Sequence, residues 1–254
     1  MATYKKRGYK KSIPTDTNDK VEMESTTAEV FETLDSTASR TEEWISRYQN
    51  FILTAVGLIA LSVLSYLGYQ NYIFEPKKTE AVSELSQAQY YFELAVNGQE
   101  SDSLFRRALN GGEGKYGFLD IIDNYAGTPA AKLATYSAGM AYLNLGDYVN
   151  AIAYLDQFDT DDVMLKALAK GAIGDAFAEI DQPQEAYDYY VAALEASDNT
   201  FSAPKYLFKA GLLGASLGKN KAAIGYFKRI QSNYPESAEA RKVEVQIGRL
   251  ENLD

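Results

Sequence analysis

From Phe51 to Tyr69 the chain runs 19 residues without a charge, and beyond it apolar residues recur at helical spacing almost to the C-terminus. As a helix the uncharged run spans about 28 Å, close to the roughly 30 Å of a bilayer core. Trp44 and Tyr48 precede it, and Tyr69 and Tyr72 close it, as aromatic residues gather at the two interfaces of a membrane span. Arg47 and the pair Lys77–Lys78 bracket the run. A buried core helix would need more surrounding chain than remains here. A cleaved signal peptide fits no better, because a long polar stretch precedes the run, its length exceeds the usual apolar region of about 7–15 residues, and no small-residue cleavage site follows. The pattern predicts an uncleaved single-pass anchor, with its flanks at residues 41–76, after a disordered tail at residues 1–40.

The second pattern is a repeat. Gly139, Gly174 and Gly211 sit inside helical stretches, each followed twelve residues later by an alanine: Ala151, Ala186 and Ala223. A glycine inside a helix costs roughly 1 kcal/mol against alanine, so its return at 35 and 37 residues implies a packing reason. Two helices cross closely only where side chains at the crossing are small. Tyr142 and Phe177 follow the first two glycines by three residues, whereas the third copy has Gly214 there, which predicts a weaker contact. The second helices carry apolar stripes: Ala151-Ile152-Leu155-Phe158, Ala186-Tyr187-Tyr190-Ala193-Leu194 and Ala223-Ile224-Phe227-Ile230. Turns fall at Leu145-Gly146-Asp147, Asp181-Gln182-Pro183 and Leu217-Gly218-Lys219-Asn220. A helix pair every 35 or so residues predicts an all-α stacked solenoid.

At these positions the chain resembles the tetratricopeptide repeat family, over about residues 131–237. Three units are expected at 131–166, 167–203 and 204–237. Tyr116–Tyr125 echoes Gly225–Tyr234, so residues 79–130 read as an irregular first unit, with a long loop near Asn97–Ser103. Residues 238–250 read as a capping helix, and residues 77–254 together as one repeat domain. In that family the first helix of each pair lines a concave groove. The resemblance implies a protein-binding groove of Leu133, Tyr136, Met140, Leu143 and Asn144, then Leu168, Gly171, Asp175, Ala178 and Glu179, then Lys205, Phe208, Leu212, Ala215 and Ser216. Tyr136 and Met140 have an alternative place in the core, where aromatics and methionines more often sit.

Composition narrows the chemistry. Residues 51–254 carry 17 bases and 26 acids, a balance that repels phosphate and argues against nucleic-acid binding at the solenoid. There is no histidine and no cysteine, which removes Ser-His-Asp and Cys-His catalysis, imidazole and thiolate metal sites, and disulfides. Asp159, Asp161 and Asp162 lack EF-hand spacing and read as a turn with a helix cap. Asn110–Gly117 holds four glycines but fails as a phosphate loop, with Leu109 where a glycine is needed and Tyr116 where Ser or Thr is needed. It reads as a flexible interhelical loop. Asp120 and Asp123 read as the exposed side of a helix. No enzyme activity, cofactor or metal is expected.

The basic cluster Tyr4–Lys11 reads as a solvated tail that helps fix topology, or else as a contact for RNA or anionic headgroups. Thr26–Leu34 reads as a short amphipathic turn, a possible docking peptide. Eight bases in residues 1–50 favour a cytoplasmic tail and repeats on the far side of the membrane. Tail, anchor and repeats in this order resemble the ancillary SecYEG translocon subunits, the YfgM-like family. That resemblance implies a bacterial inner-membrane protein with periplasmic repeats. Its expected partners are the Sec translocon, a periplasmic chaperone or prolyl isomerase, and translocating chains. The alternative is a structural adaptor in a cell-envelope secretion or assembly complex.

Overall fold

The computed structural model describes residues 26–98 and 101–251, with side chains from residue 44 onward. It divides into two compact units between Tyr66 and Leu67. Among the described residues every regular element is helical, apart from one isolated bridge between Gly112 and Lys115.

Helix α1 runs Thr26–Tyr69. The structureless tail expected through residue 40 is therefore too long. Thr26–Arg40 contains neither proline nor glycine, so a helix nucleated in the apolar run propagates back through it. The basic cluster at Tyr4–Lys11 lies outside the described residues. The apolar part of α1 is long enough to cross a membrane, and none of it is buried against protein. Thr54 and Ser62 donate their hydroxyls to the carbonyls of Asn50 and Leu58, which pairs those two hydroxyl hydrogens within the helix itself. Trp44 and Tyr48 pack at a tilt with ring centres 5.5 Å apart, making one amphipathic cluster at an end of the span.

The second unit opens with a π turn, Gln70–Phe74, and continues as α2 (Glu75–Asn97), α3 (Ser101–Asn110) and α4 (Phe118–Asn124). The loop expected at 97–103 is shorter, because Ser101 already starts α3. The glycine-rich loop folds back on itself, with Gly112 and Lys115 exchanging backbone hydrogen bonds. A Cβ on Gly117 would lie 2.2 Å from the Leu109 carbonyl oxygen, and Gly111 has φ +79°. Gly111 and Gly117 let the chain pass against its own backbone, whereas nothing lies within 4 Å of a Cβ at Gly114. Asp120 accepts from the Gly117 amide at 3.1 Å, so it caps the start of α4 as well as lining its polar side.

Three helix pairs follow: α5 and α6 (Pro129–Asn144, Tyr148–Gln157), α7 and α8 (Val163–Glu179, Pro183–Ala196), α9 and α10 (Ala203–Ser216, Asn220–Asn233). Helix α11 (Ala240–Glu251) closes the stack with Val243, Ile247 and Leu250. The glycine pattern has one cause in all three pairs. A Cβ at Gly139 would meet Leu155 Cγ at 2.6 Å, one at Gly174 the Tyr190 ring at 2.7 Å, and one at Gly211 the Phe227 ring at 2.5 Å. Each glycine thus receives the large side chain sixteen positions later, while Ala151, Ala186 and Ala223 are fully buried beside it. Close crossing here serves to seat one large side chain per repeat.

The third copy differs from expectation. Tyr142 stacks on Tyr154 and Phe177 on Tyr189, each at 5.3 Å. At the equivalent Gly214, Tyr187 of the preceding pair fills the space, with its ring 3.2 Å from where a Cβ would stand. The Tyr187 and Tyr226 hydroxyls meet at 3.3 Å. The missing side chain therefore binds two repeats together instead of weakening one.

Each first helix ends in the same cap. The amides of Asp147, Gln182 and Lys219 reach back to the carbonyls of Tyr142, Phe177 and Gly214, a reversal that needs a left-handed residue just before. Gly146 and Gly218 supply it with φ +75° and +74°, but the middle repeat uses Asp181 at φ +58°. Glycine enters this region without steric cost and aspartate does not. Asp181→Gly is expected to raise stability by about 0.5–1 kcal/mol, and Gly146→Ala to lower it by a similar amount. Thermal unfolding of the two variants against the parent chain checks the pair of opposite signs.

Burial, with the Glu80 carboxylate beside it, pushes the Tyr125 hydroxyl up to about 12. Burial and the Tyr187 hydroxyl push Tyr226 to about 12 as well. Unfolded tyrosine titrates near 10, so the folded state holds these protons more tightly. The stability they contribute is whole below pH 10 and is lost between pH 10 and 12. Melting temperatures at pH 8, 10 and 11.5 are expected to fall only across the upper interval, and Tyr125→Phe is expected to flatten that fall.

Candidate functional site

Helices α5, α7 and α9 are the first members of their pairs, and the residues proposed for a groove lie along them. Most do not stand open. Tyr136 leans on Phe158, ring centres 5.2 Å apart, and joins Met140 and Leu143 against Leu155, Ala169 and Ile173. Leu133 packs on the first unit's core, and Leu168 and Phe208 on the last one's. Gly171 is buried beneath Tyr206, whose ring would stand 2.1 Å from a Cβ there. It faces the next repeat and cannot line a groove, because a position without a side chain lets that ring pass. Asn144 is exposed and donates its amide to the Met140 carbonyl at 2.7 Å.

Between α7 and α9 the surface does open. A cleft of about 340 Å³ is lined by Asp175, Ala178 and Glu179 from α7, Lys209, Leu212 and Leu213 from α9, with Tyr190 of α8 at its floor. Three of the expected groove positions on α7 thus come together with Leu212, which is 40% exposed. Lys205 lies nearby with its ammonium 4.0 Å from Asp175. Ala215 is half-buried in the last core and Ser216 bonds back to the Leu213 carbonyl.

Asp175 organises the cleft. Its Oδ1 accepts from the Tyr190 hydroxyl at 2.7 Å and from the Lys209 ammonium, so one carboxylate ties α7, α8 and α9. Burial, then the Asp175 charge, pushes the Tyr190 hydroxyl well above the ordinary tyrosine range, and the same two causes raise Tyr206. Both hydroxyls stay protonated, and the two rings stack at 6.2 Å. The carboxylate is therefore already committed to internal bonds, and the free surface of the cleft is chiefly Ala178, Leu212 and the half-buried Leu213, with the exposed Glu179 carboxylate beside them. This arrangement presents apolar side chains next to one internally bonded carboxylate. Among the described residues no group of three acidic side chains is placed to hold a metal. Of the Asp159 cluster, Asp162 caps α7 through the amides of Met164 and Leu165.

Sequence reasoning missed Lys209, Leu213 and Tyr190. Lys209 was within reach, since it follows Lys205 by one helical turn and shares its face. Tyr190 belongs to a second helix and was read only as core, so no first-helix pattern points to its hydroxyl.

Residues 134–160 and 206–237 match the family model described as tetratricopeptide repeat. Those two spans are tetratricopeptide repeats. The matched spans cover the first and third helix pairs, where the glycines receive Leu155 and Phe227. A comparison with curated proteins finds no match. Among solved structures the chain is similar to the crystal structure of PilW, described as a widely conserved type IV pilus biogenesis factor. The identity is 18%, the alignment covers 83% of this chain and 98% of that one, and the TM-score is 0.43. A tetratricopeptide solenoid is a protein-interaction scaffold, and the apolar span in α1 is compatible with a single-pass membrane anchor.

Proposed function

We propose that this chain is an inner-membrane-anchored docking module that works beside the Sec translocon and periplasmic folding factors, receiving apolar segments of emerging polypeptides. The observation that carries the reading is the open cleft between α7 and α9, where Ala178 and Leu212 are exposed, Asp175 and Lys209 bond each other, and Glu179 is the one charged lining residue outside that pairing. Apolar grooves take varied extended or helical segments, because burial is non-directional and reads little sequence. The Sec assignment rests on the order of tail, anchor and repeats. The tail is placed in the cytoplasm and the repeats in the periplasm, with no catalytic role.

A photo-crosslinking side chain at Leu212 in intact cells tests the proposal, with Glu185 on the exposed side of α8 as control. Translocating chains and Sec subunits captured from Leu212 but not Glu185 are the expected outcome. A fixed set of envelope-assembly components from the same position would replace it with the adaptor reading. Single cysteines at Ser12 and Ser197, in a chain that has none, check topology with an impermeant maleimide. Labelling at Ser197 alone is expected in cells with a permeabilised outer layer, and labelling at Ser12 alone would reverse the orientation.

A further inference from the structure

The solenoid is electrically polarised along its length. Residues 79–204 hold 6 bases and 20 acids, whereas residues 205–254 hold 9 bases and 5 acids. The basic end coincides with the last repeat and the capping helix. There Lys228 pairs with Glu251 and Arg229 with Asp198, Lys219 lies over the Tyr187 ring at 3.9 Å, and Lys242 over Phe208. Lys221, Arg241 and Arg249 are exposed and have no ion-pair partner among the described residues. Arg241, Val245 and Arg249 stand four residues apart on the outer side of α11, with Glu244 beside them, and Val245 is 64% exposed. An apolar side chain between two guanidiniums that pair with no described residue is the composition of an interface centre more than of a solvated cap.

A cap needs charge for solubility, but acidic residues serve that end at least as well as basic ones. The change of sign against an acidic body therefore calls for a second explanation. We propose that the outer face of α11 docks on the acidic body of a second copy of this chain, so that anchored copies associate head to tail. The chain supplies its own complement: four net positive charges at one end face fourteen net negative charges over the preceding repeats. Such a contact is heterologous, so it closes into a ring or continues as a row. Anionic lipid is the less suitable occupant, because the acidic body beside this end is repelled by the same surface that would attract α11.

The test uses the full chain in neutral detergent, labelled in two colours and followed by fluorescence cross-correlation at 50 and 300 mM NaCl. Self-association is expected at the lower salt and is expected to weaken on the order of tenfold at the higher, as screened surface charge requires. Lys221→Glu/Arg241→Glu/Arg249→Glu should abolish it. Arg106→Glu/Lys132→Glu/Lys166→Glu changes the net charge equally on the exposed body and should keep or strengthen it. Circular dichroism melting of both triple variants confirms that each is folded. Equal loss in the two variants, salt-insensitive association, or no association would overturn the proposal. Binding of the parent chain to phosphatidylglycerol vesicles without self-association would overturn it in favour of a lipid surface.

Discussion

A single methyl group at Gly171 is expected to destabilise the solenoid by about 1–3 kcal/mol, while the same group at Gly225 stabilises it by about 0.5–1 kcal/mol. Both glycines lie within helices, and propensity alone predicts a gain at each. At Gly171 the new Cβ would stand 2.1 Å from the Tyr206 ring. That ring is 2% exposed and stacked on Tyr190, whose hydroxyl is held by Asp175, so the collision cannot be relieved by one rotamer. At Gly225 nothing lies within 4 Å of the added atom. For a unit of this size 1 kcal/mol moves the melting temperature by about 2–4 °C, so opposite shifts of Gly171→Ala and Gly225→Ala are readable by circular dichroism. A third variant addresses the repeat logic itself. Gly211→Ala should be costly alone and partly rescued by Phe227→Leu, because the ring that meets the Cβ at 2.5 Å is then gone. Additive losses in the double variant would show that these glycines are kept for some other reason than seating a large side chain.

The contrast between Gly171 and Gly225 also shows which parts of this molecule were legible in the sequence. The period, the helix pairs, the caps at Gly146 and Gly218 and the buried alanines follow from spacing, because helical periodicity is a local property. What fills each glycine does not, since Leu155, Tyr190 and Phe227 share a register but differ in size and shape. Gly171 looked like an open groove position because its own helix carries no mark of Tyr206, which arrives from the next repeat. Gly214 looked like a defect for the same reason, with its occupant Tyr187 in the preceding repeat. The site was legible in its elements and less so in its members. The first-helix rule placed Asp175, Ala178, Glu179 and Leu212 together. It also included Tyr136, Met140 and Phe208, whose neighbours turn them inward. Burial depends on the facing helix, and one strand of sequence records only its own side of each contact.

That division leads to different outcomes for two residues that the sequence had placed on one groove. Phe208 is half-buried, its ring 5.9 Å from Phe227 with the Lys242 ammonium over its face. Phe208→Ser is expected to cost about 2–4 kcal/mol, somewhat less than the roughly 3–5 kcal/mol of Phe227→Ala at a fully buried position. Leu212 lies on the cleft wall and is 40% exposed, so Leu212→Ser should change stability by less than about 1 kcal/mol. Function should follow the reverse order when each variant is compared at a temperature where it is folded. Leu212→Ser is expected to reduce capture of apolar peptides several-fold, by removing apolar area worth about 25 cal/mol per Å², while folded Phe208→Ser keeps it. Binding by the parent chain should survive moderate salt, since the Asp175, Lys209 and Tyr190 groups bond one another and leave the peptide an apolar wall. Peptide titrations at 50 and 300 mM NaCl with the three chains decide the matter. Affinity that collapses with salt, or that ignores Leu212, would move the docking site from this cleft to the charged surface.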